Sequence, residues 1–123
     1  MLTWDFNHQT GILETKYMGN IYLQEVVDYI RSTKENKDHP RDLKIISDAS
    51  QAIFVFTIND LEVIINENNA SLEKYDSIID ALIVEDPKST ALSILYQRLE
   101  RNNKYKFNVF STHEAAEEWL DKY

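Results

Sequence analysis

A chain of 123 residues can bury one sizeable hydrophobic core, and 43% of its residues are hydrophobic. The absence of cysteine excludes disulfides, thiolate metal sites and cysteine nucleophiles. The net charge of −8 opposes binding to nucleic acid and anionic lipid, because such binding depends largely on cations that neutralise phosphates. These properties predict a single domain, residues 1–123, with no nucleic-acid partner.

The sequence also indicates the cellular location of the protein. The N-terminal residues lack the basic region and apolar run of a signal peptide. No apolar run approaches the roughly 20 residues that a membrane span needs. Secreted domains of this size often depend on disulfides, so the lack of cysteine favours the cytoplasm. We therefore expect a cytoplasmic protein without a membrane span.

The chain begins with alternating apolar and polar residues over positions 2–6, which predicts a half-buried strand. Residues 7–11 form a turn, and a second strand over 12–17 completes a hairpin. Helical spacing then appears at Leu23, Val26, Val27 and Ile30. The polar run over residues 32–42 ends this first helix.

A short branched, apolar segment over residues 43–46 predicts a buried strand that ends at Ser47-Asp48. Thr57 is the expected N-cap of the second helix, whose inner face carries Leu61, Ile64 and Ile65. Residues 78–84 predict a central strand that is apolar on both faces.

The third helix is expected to start at Asp86-Pro87, because proline at the first helical position loses no needed donor. Alternation over residues 105–109 predicts the last strand. Ser111 and Glu114 match a capping box for a final helix. The order β-β-α-β-α-β-α-β-α indicates an α/β fold: a mixed, mostly parallel five-stranded sheet with an N-terminal hairpin and four helices.

One sheet edge collects candidate ligand-binding residues. Asp48, Glu85 and Asp86 follow the carboxyl ends of parallel strands, where α/β sheets usually bind ligands. Hydroxyl and aromatic side chains join them on this candidate ligand edge: Ser50, Phe54, Phe56, Ser89 and Thr90. A structural alternative has Asp86 capping a helix, Glu85 facing solvent and Asp48 bonding to loop amides.

No constellation supports catalysis or a metal. His8, His39 and His113 lie in no recognised motif, and the His113–Glu117 spacing needs further ligands to hold an ion. No G-x-S-x-G elbow or glycine-rich phosphate loop is present. We expect a non-enzymatic protein with no cofactor and no metal site.

The chain resembles the SpoIIAA-like, or STAS-like, superfamily over nearly its whole length. The similarity is carried by the hairpin, by residues 43–50 and 90–92, and by the ending Phe107-Asn108-Val109-Phe110-Ser111-Thr112 with Glu114-Ala115-Ala116 and Trp119-Leu120. It implies a βα superhelical fold, which occurs in two groups of proteins with different functions. Anti-sigma-factor antagonists bind a partner kinase and are phosphorylated at the start of the second helix, whereas CRAL-TRIO-like relatives enclose an apolar lipid.

The sequence departs from the pattern of the anti-sigma-factor antagonists. The Asp-Ser-x-Gly signature is missing, and Phe56-Thr57-Ile58-Asn59-Asp60 stands in its place. Thr57 is the nearest equivalent and is the candidate phosphoacceptor, although Asp60 would repel a phosphate there.

Three non-catalytic functions remain as hypotheses. The first is a regulatory domain that binds a protein partner or itself, with Trp4, Phe6 and Tyr17 of the hairpin as candidate interface anchors. Core packing against the first helix is the alternative and accounts for at least half of these aromatics. The second is a carrier of a small apolar ligand in a pocket between helices and sheet, suggested by the apolar cluster around Phe54 and Phe56. The third is a phosphorylation switch at Thr57. An enzyme acting through the acidic edge ranks behind them.

Overall fold

The computed structural model describes the chain from Met1 to Tyr123. Its elements are strand β1 (Leu2–Asn7), strand β2 (Ile12–Ile21), helix α1 (Leu23–Glu35), strand β3 (Asp42–Phe54), helix α2 (Asp60–Leu72), strand β4 (Ser77–Val84), helix α3 (Pro87–Leu99), strand β5 (Tyr105–Phe110) and helix α4 (His113–Leu120). The predicted order of strands and helices is confirmed.

The five strands form one sheet in the order β1-β2-β3-β4-β5. β1 pairs with β2 in antiparallel orientation, and the remaining neighbours are parallel. The predicted mixed, mostly parallel sheet is therefore confirmed, with β1 and β5 at its two edges. Each parallel connection contains a helix, as expected for crossovers of this kind.

Helices cover both faces of the sheet. Buried residues of α1, α2 and α3 form the larger core with one face, a cluster of 21 buried residues. Helix α4 packs on the opposite face through Ala116 and Leu120, against β-strand residues such as Ile46, Ala81 and Ile83. The parallel strands in the middle of the sheet are thus buried on both sides.

Two strands are longer than the sequence predicted. β2 continues to Ile21 rather than Tyr17, and β3 continues to Phe54 rather than ending at Ser47-Asp48. The register passes from Lys16 opposite Asp48 to Met18 opposite Gln51, so β3 contains a bulge. The bulge shifts the alternation of buried and exposed positions by one residue. A prediction that requires strict alternation of apolar and polar residues therefore misses the second part of the strand.

Two of the predicted helix caps are also corrected. α2 has Asn59 rather than Thr57 at its N-cap position. α4 is capped by Thr112, one residue after the predicted Ser111, and Thr112 Oγ1 accepts a hydrogen bond of 3.2 Å from the Ala115 amide. The predicted start of α3 is confirmed, with Asp86 at the N-cap.

None of the four helices combines the length and apolar character that crossing a membrane requires.

Candidate ligand-binding cavity

A cavity of about 90 Å³ lies between the sheet and helices α1, α2 and α3. Twenty residues line it, and 15 of them are hydrophobic, so its wall is mainly apolar. All but three of these residues are buried; the exceptions are Asp80, Tyr105 and Phe107. The cavity is therefore lined almost entirely by buried residues of the larger core.

Small and polar side chains on two helices leave room for the cavity. The inner face of α2 carries Asn68 and Ser71 after Leu61 and Ile64, at helical spacing. Ser93 occupies an inner position of α3, where its Oγ donates a hydrogen bond of 2.7 Å to the Ser89 carbonyl. A fully packed core would carry larger apolar residues at such positions.

Ser71 adds an unmet polar group to this wall. Its side chain is 1% exposed, and its Oγ has no hydrogen-bond partner in the protein. A buried hydroxyl without a partner costs about 1–3 kcal/mol, so native proteins rarely retain one without reason. Ser71 lines the cavity, where a ligand hydrogen bond would satisfy it.

Asp80 is the acidic residue in the wall. The strand register aligns Leu13, Ile45, Asp80 and Phe107 in one row across β2, β3, β4 and β5. Ser47 Oγ donates a hydrogen bond of 2.8 Å to Asp80 Oδ1. The second contact, from the Tyr105 hydroxyl to Asp80 Oδ2, is long at 3.5 Å. The carboxylate thus keeps unused capacity to accept hydrogen bonds.

Burial raises the pKa of Asp80 from its ordinary value of 3.8 to about 7, although the hydrogen bonds from Ser47 and Tyr105 act in the opposite direction. Asp80 has some accessible surface of its own, and it lies in the wall of the cavity. No lysine, arginine or histidine lines the cavity to compensate its charge. A carboxyl group that has a shifted pKa and no basic partner, in an apolar cavity, is typical of a functional site.

Aromatic rings stand on both sides of Asp80. One group contains Tyr17, Tyr29, Phe54 and Phe56, in which the Phe54 and Phe56 rings stack at 5.2 Å between centroids. The other group contains Tyr96, Tyr105 and Phe107, with the Tyr96 and Phe107 rings edge to face at 5.0 Å. All seven side chains line the cavity.

The four tyrosines in these groups remain neutral. Burial raises the pKa of the Tyr17, Tyr29, Tyr96 and Tyr105 hydroxyls, and the negative charge of Asp80 raises each pKa further. Asp80 is therefore the side chain of the wall that changes charge near neutral pH.

The polar residues of the predicted ligand edge make hydrogen bonds with their near neighbours in the chain. Asp48 Oδ1 accepts hydrogen bonds from the amide and the hydroxyl of Ser50, at 3.0 and 2.6 Å. Burial acts to raise the pKa of Asp48, but the Ser50 hydrogen bonds outweigh it and the pKa is lowered. Since Ser50 lies in the β3 bulge, this pair holds the irregular backbone in place.

Asp86 and Ser89 form a second local cluster. Asp86 Oδ2 accepts from the Ser89 amide at 2.9 Å and from its hydroxyl at 2.7 Å, and these bonds lower the pKa of Asp86. Ser89 Oγ in turn accepts a hydrogen bond of 2.9 Å from the Phe54 amide, which connects the end of β3 to the start of α3. Thr90 Oγ1 donates to the Asp86 carbonyl, and Glu85 is exposed.

Of the residues of the predicted ligand edge, Phe54 and Phe56 are the two that line the cavity.

The three hairpin aromatics have different environments. Trp4 is 41% exposed and contacts the Tyr29 ring at 5.1 Å between centroids. Phe6 is partly buried and stacks on His39 at 5.6 Å. Tyr17 is buried, because β2 turns its side chain towards α1, so it packs in the core and is not available as an interface anchor in this structure.

Thr57 is exposed just before α2. Its amide and hydroxyl both donate to Asp60 Oδ2, at 2.8 and 3.3 Å. A phosphate at Thr57 would therefore meet a carboxylate at close range.

No group of three or more His, Cys, Asp or Glu side chains converges in a way that could hold a metal ion. His113 and Glu117 contact each other at 2.9 Å on the exposed side of α4.

Sequence reasoning missed the most distinctive residue of the cavity. The sequence pattern of residues 78–84 predicts a strand that is apolar on both faces, yet Asp80 interrupts the inward set of Ile78 and Leu82. A charged residue in the middle of a buried strand is itself a signal of function or of a buried partner. Ser71 gave a similar signal, as a polar residue at an inward helical position.

Comparison with known structures identifies the fold. The solved structure of an uncharacterised protein of the DUF3478 family from Shewanella loihica PV-4, described as having a SpoIIAA-like fold, is similar over 97% of this chain and 93% of its own. The TM-score is 0.62 and the sequence identity is 10%. No protein-family model and no curated protein matches the sequence. The chain has a SpoIIAA-like fold, as the resemblance implied, and at this identity the likeness concerns the fold alone.

The raised pKa of Asp80 predicts how stability depends on pH. The folded state binds the Asp80 proton more tightly than the unfolded state, so the free energy of unfolding falls as the pH rises from about 4 to about 7. Asp80→Asn removes this ionisation and keeps an acceptor for Ser47. We expect the variant to match the wild type near pH 4 and to exceed its stability at pH 8 by about 1–4 kcal/mol.

Chemical denaturation at a series of pH values measures this difference. Asp5→Asn, at an exposed position on β1, is the matched control and should leave the pH profile unchanged. Parallel pH profiles for the wild type and Asp80→Asn would contradict the assignment.

Proposed function

We propose that this protein binds a small, largely apolar ligand in the cavity between the sheet and helices α1, α2 and α3, and acts as a carrier or sensor of that ligand. The observation that carries the proposal is a mainly apolar cavity with a few convergent polar groups. This combination is the usual composition of a small-molecule site.

The cavity volume limits the ligand. A water molecule needs about 10–15 Å³ of such volume, and an engineered apolar cavity of about 150 Å³ binds benzene. At about 90 Å³ the cavity has room for a ligand of roughly four to five non-hydrogen atoms without movement of the helices. Larger ligands would require displacement of α2 or α3.

The polar groups support binding rather than catalysis. Asp80 and Ser71 offer hydrogen-bonding capacity that the protein leaves unused, and both lie in the cavity wall. The hydroxyl beside Asp80 belongs to Ser47, which is 1% exposed and does not line the cavity, so it presents no nucleophile to a bound molecule. Such an arrangement orients a bound molecule without supplying the groups for a common reaction class.

The proposal predicts that an apolar probe enters the cavity. Xenon dissolved under pressure should shift the methyl NMR signals of cavity residues such as Ile64, Leu82 and Leu92 in a concentration-dependent manner. Ser71→Leu fills part of the cavity and removes the unpartnered hydroxyl, so it should reduce these shifts several-fold.

Ala91→Leu, at an exposed position of α3, is the matched control and should keep the wild-type response. Native mass spectrometry of repeated preparations reports independently on a co-purified ligand. Equal xenon shifts in the wild type and Ser71→Leu, or no shifts in the wild type, would exclude the cavity as a binding site.

A second candidate function is self-association through the hairpin. β1 pairs with β2 on one side and leaves its other edge unpaired, and Trp4 and Met18 are each 41% exposed. Open edge strands of this kind readily pair with another strand.

Light scattering during size-exclusion chromatography tests this function. Self-association predicts a mass that rises from the 14.5 kDa of the chain towards twice that value at high micromolar concentration. A constant mass of one chain over the whole concentration range would exclude it.

A further inference from the structure

We infer that the ligand of the cavity is a small organic cation, with an alkylammonium or methylated ammonium group held between the Asp80 carboxylate and the surrounding aromatic rings. This inference rests on the proposed ligand-binding function and adds the chemical class of the ligand. It follows from the charge of the wall, the hydrogen-bonding state of Asp80 and the arrangement of the rings.

The charge of the wall excludes anions and favours cations. Asp80 is the residue of the lining that carries a formal charge, and no basic side chain faces it from β2, β3, β5, α1, α2 or α3. The titratable groups that do face it are the hydroxyls of Tyr17, Tyr29, Tyr96 and Tyr105, which are neutral. A carboxylate or phosphate ligand would add a second buried negative charge beside the first, at high energetic cost.

The hydrogen bonds of Asp80 leave room for a donor. One carboxylate oxygen accepts a well-formed bond from Ser47, and the other has the long contact with Tyr105. An ammonium group carries donors and a full positive charge, so it matches this oxygen better than a neutral donor does. A purely apolar ligand would leave the ionised carboxylate without compensation.

The rings provide the second half of a cation site. The faces of tyrosine and phenylalanine attract cations electrostatically, most strongly where water is excluded. Tyr105 and Phe107 stack at 6.0 Å on the β5 side of Asp80, and Tyr17 and Phe54 approach at 5.9 Å on the β2 side. Groups of aromatic rings are a known way to hold methylated ammonium ions, and here such rings lie beside a carboxylate.

The long-range field of the protein acts in the same direction. The net charge of −8 raises the local concentration of cations and lowers that of anions. This field does not select the cavity, but it assists the approach of a cationic ligand.

The experiment compares ligands of similar size and different charge. Binding of n-butylammonium, 1-butanol and butyrate is measured at pH 8 by protein-observed NMR titration, with tetramethylammonium as a second cation. We expect n-butylammonium to bind on the order of tenfold more tightly than 1-butanol, and butyrate to bind more weakly than either.

Two further measurements connect the preference to Asp80. In Asp80→Asn, the affinity for n-butylammonium should fall on the order of tenfold, while the affinity for 1-butanol stays within about threefold of the wild type. In the wild type, lowering the pH from 8 to 5.5 should weaken binding of the cation alone, since protonation removes the carboxylate charge. This pH series uses the unaltered protein and does not depend on the folding of the variant.

The outcomes separate this inference from the function on which it rests. Binding of 1-butanol with no preference for n-butylammonium, or equal cation affinity in the wild type and Asp80→Asn, would overturn the cation assignment and leave a neutral-ligand cavity. Failure of all four compounds and of xenon would overturn the proposed function together with the inference.

Discussion

The burial of one carboxyl group, Asp80, within an otherwise apolar sheet face governs the properties of this protein that bear on function. Transferring an ionised carboxylate from water into a protein interior is unfavourable unless a partner compensates it, and Ser47 supplies one good hydrogen bond. Since no basic side chain of the cavity wall neutralises Asp80, the group responds by a rise of its pKa to about 7. The same lack of compensation makes the cavity receptive to a positively charged ligand, so stability and recognition have one physical origin.

The rest of the fold is arranged around this group. The parallel register aligns Ile45, Asp80 and Phe107, and the small side chains of Ser71 and Ser93 keep the helices from filling the space above them. The hydrogen-bonded cluster of Asp86, Ser89 and the Phe54 amide fixes the end of β3, which positions the Phe54 and Phe56 rings in the cavity wall. Asp86 and Ser89 of the predicted ligand edge therefore support the cavity indirectly, through the backbone, whereas Phe54 and Phe56 line it.

The sequence predicted the order of elements and the mixed sheet, because hydrophobic periodicity and turn residues act locally. It failed where tertiary structure alters a local pattern. The β3 bulge shifts the alternation of buried residues after Ala49, so the sequence pattern ends the strand at Ser47-Asp48 although it continues to Phe54. The cavity was expected only in outline, through its aromatic residues. Asp80 was overlooked because its neighbours Ile79 and Ala81 make the segment appear uniformly apolar, and its meaning depends on Ile45 and Phe107, which come from distant parts of the chain.

Direct titration of the Asp80 carboxyl group provides the strictest test of this account. The carboxyl carbon of Asp80 is followed by NMR in isotopically labelled protein between pH 3 and pH 9, and the resonance is assigned by its loss in Asp80→Asn. Burial without a compensating charge predicts a midpoint near pH 7, and added n-butylammonium should move that midpoint downward because the cation stabilises the ionised form. A midpoint near the ordinary value of 3.8 would show that solvent or a partner already compensates the carboxylate, and would contradict the central claim.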